Sequence, residues 1–247
     1  MDLIYWRHPT VPAIKIEEVT DGEGDYGKYW LEAARQIYCE NGRDEYREIG
    51  HFKNGAPFLY GEPSRISITH CEGLFAVATL PPTPDIDLSK FDPHTAMGID
   101  AERIDRSQVL KVRERFLSDD ELAMIPADDL RLNIQAWTVK EAVYKAGLCS
   151  GTDLRKDIRI ERLPKFGPPT LVFDAKEFGL PKGQKELPED FFGEATIVIR
   201  DFSVDSVDEP GKERGINQKF RLYSYLSDEF LITLAWSPLC CRFGKSS

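Results

Sequence analysis

AWTVKEAVYKAG, residues 136–147, combines strong helix formers with three charged side chains and two aromatic rings. Residues four apart stack on one helix face, so Trp137, Glu141 and Lys145 form one column, with Lys140 beside it. A surface ion pair between Glu141 and Lys145 is the simple interpretation. A functional site is the alternative, because Trp137 normally faces a core and the charged pair borders that buried side. The stretch therefore predicts a long helix with charges at the margin of its apolar face.

The composition is that of a soluble globular protein. Of the 247 residues, 41% are hydrophobic and 30% are charged, which suits one large domain or two small ones. The formal net charge is -10. Binding to nucleic acid or to an anionic membrane surface needs basic patches, so the acidic balance disfavours both. A negatively charged substrate would need local cations or a metal ion.

Targeting signals and cysteine usage indicate the compartment. Residues 1–14 lack the cationic start and apolar run of a secretory signal, and no apolar stretch approaches the roughly 20 residues that span a membrane. The five cysteines are scattered, apart from the adjacent Cys240 and Cys241, and none forms a CxxC pair. We therefore expect a reduced protein in the cytoplasm.

Elements around the opening stretch follow from local signals. The periodicity predicts a helix from about residue 128 to 146, with Gly147 as a left-handed C-cap. Ser118 and Glu121 have the spacing of a capping box, which predicts a second helix start. Residues 95–104, TAMGIDAERI, alternate as a strand does.

The remaining segments alternate between strand patterns and loops. Residues 29–39 predict a helix, residues 40–64 a loop, and residues 65–80 two strands joined at Cys71–Gly73. The proline-rich connector 81–94 is the best domain boundary, giving halves 1–94 and 95–247. Later strands are predicted at 159–164, 169–175, 194–200, 220–228 and 230–238, with a hairpin loop at 211–218. Short connections favour antiparallel pairing and an α+β fold.

Two carboxylates stand on one face of the predicted strand. In Gly98–Glu102, GIDAE, side chains alternate, so Asp100 and Glu102 share a face. Two carboxylates repel unless a cation lies between them, and a hard ion such as Mg²⁺ prefers oxygen ligands. An exposed acidic edge strand is the simpler alternative from this motif alone.

A histidine precedes the turn of the first strand pair. His70 ends a strand in the run Ser67–Gly73, SITHCEG, where an imidazole can donate to a phosphate or cap the turn. The segment alone favours a turn histidine.

Taken together and in this order, these segments resemble a 4′-phosphopantetheinyl transferase of the surfactin-activating (Sfp) type. The similarity extends over about residues 53–149. The matching segments are Asn54–Pro57, Thr69–Gly73, Gly98–Glu102, Arg115–Glu121 and Trp137–Lys145.

The resemblance implies an α+β fold of two similar halves, each an antiparallel sheet packed with a helix, with the active site between the halves. It implies that the 4′-phosphopantetheine arm of coenzyme A is transferred to a serine of a carrier protein, with release of 3′,5′-ADP. Mg²⁺ is the implied cofactor and coenzyme A the co-substrate.

The resemblance also implies roles for single residues. Asp100, Glu102 and Glu141 would hold Mg²⁺, and either Glu141 or a metal-bound water would take the serine proton. Lys145 would contact the phosphate being displaced, which with Glu141 makes the catalytic pair. The residues implied to bind coenzyme A are Lys53, Thr69, His70, Lys140 and Lys145.

The implied partner is an acyl or peptidyl carrier of fatty-acid, polyketide or non-ribosomal peptide synthesis. Lys111, Arg113 and Arg115 are candidates for its docking patch, and charge reversal at Arg113 is expected to weaken carrier binding more than coenzyme A binding. A monomer is expected, because both halves lie in one chain. Two alternatives stay open: a Mg²⁺-dependent phosphotransferase or hydrolase acting on another nucleotide, and a non-catalytic relative that binds coenzyme A or carriers.

Overall fold

The structure is a computed structural model. It describes residues 3–8, 11–18, 49–51, 57–59, 65–80, 97–147, 151–167, 172–173, 189–200 and 215–236. The predicted helix at 29–39, the predicted connector at 81–94 and the candidate ligand Lys53 lie outside these residues, as do four of the five cysteines.

Strands dominate the described residues. They are β1 (Leu3–His8), β2 (Val11–Glu18), β3 (Ile49–His51), β4 (Pro57–Leu59), β5 (Arg65–Cys71), β6 (Leu74–Leu80), β7 (Met97–Arg103), β8 (Ile158–Arg162), β9 (Phe166–Gly167), β10 (Val172–Phe173), β11 (Phe192–Arg200), β12 (Gly215–Leu226) and β13 (Phe230–Trp236).

The strands form two sheets. The first has the order β10-β1-β2-β6-β5-β4-β3, and the second has the order β7-β13-β12-β11-β8, with β9 added beside β12. Neighbouring strands pair antiparallel, except for the parallel contact of β9 with β12. This arrangement confirms the predicted α+β class.

Three α-helices lie between β7 and β8: α1 (Gln108–Phe116), α2 (Asp119–Met124) and α3 (Leu130–Gly147). The predicted capping box opens α2. The Ser118 hydroxyl accepts from the Glu121 amide at 3.3 Å, and the Ser118 amide donates to the Glu121 carboxylate at 2.7 Å. None of the helices in the described part of the chain is long and apolar enough to cross a membrane.

Several predicted elements are confirmed. The two strands at 65–80 are β5 and β6, and the strand at 95–104 is β7. The long helix is α3, but the predicted left-handed C-cap is wrong. Gly147 is the last residue of α3 and has no positive φ. A Cβ there would lie 2.6 Å from Cδ1 of Ile197, so a larger residue would require that side chain to shift.

Other segments differ from the prediction. The predicted loop at 40–64 contains β3 and β4, and residues 215–218 of the predicted hairpin loop belong to β12. β12 extends this far because β11 pairs with it as far as Arg200 opposite Gly215. The strands β1 and β2 were not anticipated. β10, from the second predicted half, pairs with β1 in the first sheet, and the division at residue 94 stays a prediction.

Two clusters of buried side chains hold these layers together. One packs α3 against the second sheet, with Ile134, Val139 and Val143 among its fully buried members. The other joins β6 to β7 and β13, where Leu74 and Ile99 share a core with Trp236. Burying an aliphatic or aromatic side chain of this size contributes about 1.5–3 kcal/mol. The second cluster fixes the first sheet against β7, the strand that carries the paired carboxylates.

Gly98 sets the distance between β7 and α3. A Cβ at this position would lie 1.9 Å from the carbonyl oxygen of Ala142 and 2.7 Å from the amide nitrogen of Ala146. Both neighbours are backbone atoms of a buried helix, so they cannot move aside as a flexible side chain would. The glycine is therefore needed for the strand and the helix to be in contact.

We predict that Gly98→Ala strongly destabilises the fold. Overpacking of a core costs about 1–3 kcal/mol, and a clash with helix backbone belongs at or above the upper end. Urea unfolding measures the loss. Gly151→Ala is the control, because nothing lies within 4 Å of a Cβ there and only the φ of 80° is strained. An equal or smaller loss at Gly98 would contradict this account of the strand–helix contact.

Candidate active site

Asp100 lies where β5, β7 and α3 meet. Its Oδ1 accepts from the Thr69 hydroxyl at 3.1 Å and from Lys145 Nζ at 2.7 Å. Its Oδ2 is buried and has no hydrogen-bond partner. Burial raises the pKa of Asp100, while the Lys145 ammonium and the Thr69 hydroxyl act in the opposite direction. One oxygen of this carboxylate is thus satisfied and the other is available to a further cation.

Glu102 stands two residues along β7, buried like Asp100. Its Oε1 accepts from the indole nitrogen of Trp137 at 3.2 Å and from the guanidinium of Arg106. The Trp137 ring packs edge-on against Phe116, with 5.0 Å between ring centroids. Trp137 therefore both anchors α3 to the core and orients the second carboxylate.

Glu141 brings a third carboxylate from α3. Burial raises its pKa, the Asp100 charge raises it further, and the Lys145 and Arg106 charges lower it. Because these charges act on its pKa, Glu141 lies near Asp100, Lys145 and Arg106. We call the surroundings of Asp100, Glu102 and Glu141 the pocket. A raised pKa suits a group that accepts a proton during a reaction.

Lys145 lies one helical turn after Glu141. Its Nζ donates to Asp100 Oδ1 at 2.7 Å and to the Ile99 carbonyl at 3.0 Å, and its side chain is 30% exposed. The simple interpretation of the sequence paired Lys145 with Glu141 on the surface. The structure shows an ion pair with Asp100 at the partly open rim of the pocket instead.

Lys140 is not brought to this pocket. Its side chain is fully buried, 2.7 Å from the Glu121 carboxylate, and Nζ also donates to the carbonyls of Leu154 and Ile158. All three ammonium protons therefore have acceptors within the protein. Burial lowers the pKa of Lys140, and Glu121 opposes that shift. The predicted contact of Lys140 with phosphates is corrected: this lysine holds α3 to α2 and β8.

The two residues predicted for nucleotide binding point to opposite sides of β5. Thr69 is buried, and its hydroxyl donates to Asp100 as a support for that carboxylate. His70 is exposed at the end of the strand. Ser67, on the same face as Thr69, accepts from the Ile99 amide at 3.0 Å and ties β5 to β7. Of the predicted pair, Thr69 is buried and His70 is exposed to solvent.

The docking candidate Arg113 has contacts within the protein, and its role in docking stays a prediction. Its guanidinium donates to the Asn133 side chain at 2.9 Å and to the carbonyl of Ile125, linking α1 to α3. Charge reversal there would disturb this junction as well as any surface contact. Lys111 and Arg115 are exposed on the same helix.

Sequence reasoning missed two residues at the pocket. Arg106 pairs with Glu102 from a loop position with no periodic pattern, although the spacing of four residues is visible in the sequence. Cys71 lies beside the pocket, where burial and the Asp100 charge raise the pKa of its thiol to about 12. Such a thiol stays protonated at neutral pH, which excludes it as a nucleophile.

The donor set fits a hard divalent cation, although the side chains do not converge on one point. Among the described residues, no three His, Cys, Asp or Glu side chains already form a metal cluster. The observation that favours a cation is the buried, unpartnered Oδ2 of Asp100. Oxygen donors from Glu102 and Glu141 complete the kind of ligand set that Mg²⁺ prefers.

Three carboxylates and two chain cations lie at this junction of strand and helix. Residues 96–184 match the family model of the 4′-phosphopantetheinyl transferase superfamily. This segment contains β7, α1, α2 and α3, so the match covers the paired carboxylates and the charged helix. It supports a transferase of that superfamily. No curated protein matches the chain.

We predict that Glu141→Gln changes how stability depends on pH. The folded pKa of Glu141 is raised above its ordinary 4.5, so the native state binds more protons than the unfolded chain between these two values. This contribution stabilises the protein below pH 4.5 and is lost as pH rises through the folded pKa. The variant has no titrating carboxyl at this position and does not lose this stability. The difference between its thermal midpoint and that of the wild type should therefore increase in its favour as pH rises.

Thermal unfolding between pH 4 and 8, with a chelator present, measures this difference. The exposed Glu114→Gln on α1 is the matched control and should show no such trend. A gap between Glu141→Gln and wild type that is constant with pH, or shrinks as pH rises, would contradict the raised pKa of the partly buried Glu141.

We predict that Lys140→Met is a stability variant. It leaves the Glu121 carboxylate buried without its cation, a loss that costs about 3–5 kcal/mol. The double variant Lys140→Met with Glu121→Gln should recover part of this, because no unpaired charge remains and the amide oxygen can still accept from a backbone amide. Urea unfolding measures both. A single-variant cost below about 1 kcal/mol would argue that Lys140 is not held as described.

Proposed function

We propose that the protein is a 4′-phosphopantetheinyl transferase of the surfactin-activating type. It transfers the phosphopantetheine arm of coenzyme A to a serine of a carrier protein, converts apo-carrier to holo-carrier and releases 3′,5′-ADP. The observation that carries the proposal is the unpartnered buried oxygen of Asp100, within the segment that matches the superfamily.

The reaction sets the requirements on the site. The serine oxygen forms a bond to the phosphorus next to pantetheine, and the bond from that phosphorus to the bridging oxygen breaks. The electron pair leaves with 3′,5′-ADP, and the serine proton goes to a base. Such a transfer depends on positioning and on cations placed where negative charge develops.

Asp100, Glu102 and Glu141 would hold Mg²⁺. When bound, the ion neutralises charge on the pyrophosphate and orients it. The acidic pocket binds no phosphate by itself, since three carboxylates repel an anion. The proposal therefore explains why buried carboxylates stand beside the cation Lys145.

Lys145 is the chain's own cation for the leaving phosphate. It is the partly exposed lysine of α3, whereas Lys140 is fully buried, so it is the one that can reach a ligand. Its ammonium lies against Asp100 and is partly exposed, so it would be able to donate to a bound phosphate oxygen. A compact ammonium suits this use as a point charge.

Glu141 is the candidate base. Burial and the neighbouring Asp100 charge raise its pKa, which favours uptake of the serine proton at neutral pH. A metal-bound water is the alternative acceptor. The exposed His70 would contact a phosphate of the nucleotide part, and Lys53 is proposed for the same side of coenzyme A.

The partners would be coenzyme A and an acyl or peptidyl carrier of fatty-acid, polyketide or non-ribosomal peptide synthesis. The enzyme would act as a monomer in the cytoplasm, without nucleic acid or membrane, and with residues 1–94 and 95–247 as its two halves.

Mass spectrometry of an apo-carrier tests the proposal. With enzyme, coenzyme A and Mg²⁺, the carrier should gain the mass of one phosphopantetheine arm, and Asp100→Ala should abolish the gain while remaining folded. Thermal protection separates the alternatives: protection by ATP and not by coenzyme A would favour another nucleotide substrate. Protection by coenzyme A without transfer to any of several carriers would favour a binding protein.

Replacing Lys145 with Ala should lower kcat by about 100-fold or more, with a smaller change in KM for coenzyme A. The reason is that a cation on the leaving phosphate acts mainly in the transition state. Lys145→Arg should restore only part of the rate, because the planar fork does not replace an ammonium. An unchanged kcat with a slightly lower thermal midpoint would reduce Lys145 to a structural partner of Asp100.

A further inference from the structure

Glu102 has a cation of its own chain on the oxygen that faces Trp137. The Arg106 guanidinium forms an ion pair with Glu102 Oε1, four residues back along the chain. The two partners differ in exposure: the side chain of Arg106 is 46% exposed and that of Glu102 only 10%. A guanidinium open to solvent thus neutralises a buried carboxylate.

The two carboxylates of β7 are compensated in the same way. Lys145 lies on Asp100 and Arg106 lies on Glu102, so each acidic ligand has one chain cation. The Arg106 charge also lowers the pKa of Glu141. Arg106 therefore acts on two of the three acidic groups in the pocket, although it touches one.

Arg106 is placed where it can move. It lies between the end of β7 at Arg103 and the start of α1 at Gln108. Neither element needs to shift for this side chain to rotate into solvent. By contrast, Lys145 is attached to a helix that is packed closely against β7 at Gly98.

We propose that Arg106 is a positioning residue that exchanges with the divalent cation. It holds Glu102 in place until the ion binds, and the displaced guanidinium then contacts a phosphate of the nucleotide ligand. The second step rests on the proposed function, which supplies coenzyme A as that ligand. Metal and nucleotide would then bind cooperatively. Mg²⁺ releases the Arg106 guanidinium from Glu102, and the nucleotide phosphate stabilises the released guanidinium.

Calorimetric titration of Mg²⁺ alone tests the exchange. Arg106→Gln removes the competing cation, so the Kd for Mg²⁺ should fall by about 3- to 10-fold, as expected for loss of a partly exposed ion pair. Arg106→Lys keeps a cation beside Glu102 and should remain close to wild type.

The control for charge is Arg103→Gln. Arg103 pairs with Asp105 at 3.1 Å and lies over the Phe230 ring, so its removal changes the net charge equally without freeing Glu102. Its Kd for Mg²⁺ should change less than that of Arg106→Gln. If Arg106 only shaped the site, Arg106→Gln would raise the Kd for Mg²⁺, because Glu102 would lose its orientation.

The coupling between Mg²⁺ binding and coenzyme A binding tests the second step, the contact of Arg106 with a phosphate. The ratio of the Kd for Mg²⁺ without and with saturating coenzyme A should exceed one in the wild type, and should shrink by about threefold or more in Arg106→Gln. An equal ratio in both proteins would overturn the phosphate contact.

Weaker or unchanged Mg²⁺ binding in Arg106→Gln would overturn the exchange itself, as would an equal gain in Arg103→Gln or no binding of Mg²⁺ in any variant. A different result would show that the proposed function, and not the exchange, is wrong. A carrier that gains no mass, combined with tighter Mg²⁺ binding in Arg106→Gln, would remove the transferase assignment and leave the exchange standing.

Discussion

The contact of β7 with α3 at Gly98 is the constraint on which the site depends. A strand that carries two carboxylates lies against a helix that carries a carboxylate and an ammonium, with no room for a single methyl group between their backbones. This closeness lets Lys145 Nζ reach both the Ile99 carbonyl and the Asp100 carboxylate. A longer separation would leave three acidic side chains and their cations as separate surface groups.

The need to neutralise buried carboxylates is the second constraint. It gives the two lysines of α3 different partners and different roles. Lys140 has a permanent partner in Glu121 and two carbonyl acceptors, so its charge stabilises the joint between α3, α2 and β8. Lys145 shares a carboxylate that keeps one oxygen free. The first lysine stabilises the fold, and the second is partly exposed beside the carboxylate that we propose as a metal ligand.

The sequence predicted those parts of the protein that depend on local pattern. Each of these patterns lies within a single strand or helix end, and each is confirmed: the alternation in residues 65–80 and 95–104, the capping box at Ser118 and the period of α3. What failed depends on long-range packing. Gly147 packs against Ile197 and does not form a left-handed C-cap. Lys140 forms an ion pair with Glu121, 19 positions earlier in the chain. The Arg106 ion pair lies in a loop, where no periodicity points to a partner.

We propose that a divalent cation binds at the unpartnered Oδ2 of Asp100. An anomalous difference map from crystals of the protein grown with Mn²⁺ tests it most directly. We expect a single strong peak at about 2.1 Å from Asp100 Oδ2, with oxygens of Glu102 and Glu141 as further ligands. A peak at other residues, or none at a concentration that saturates binding in solution, would contradict it.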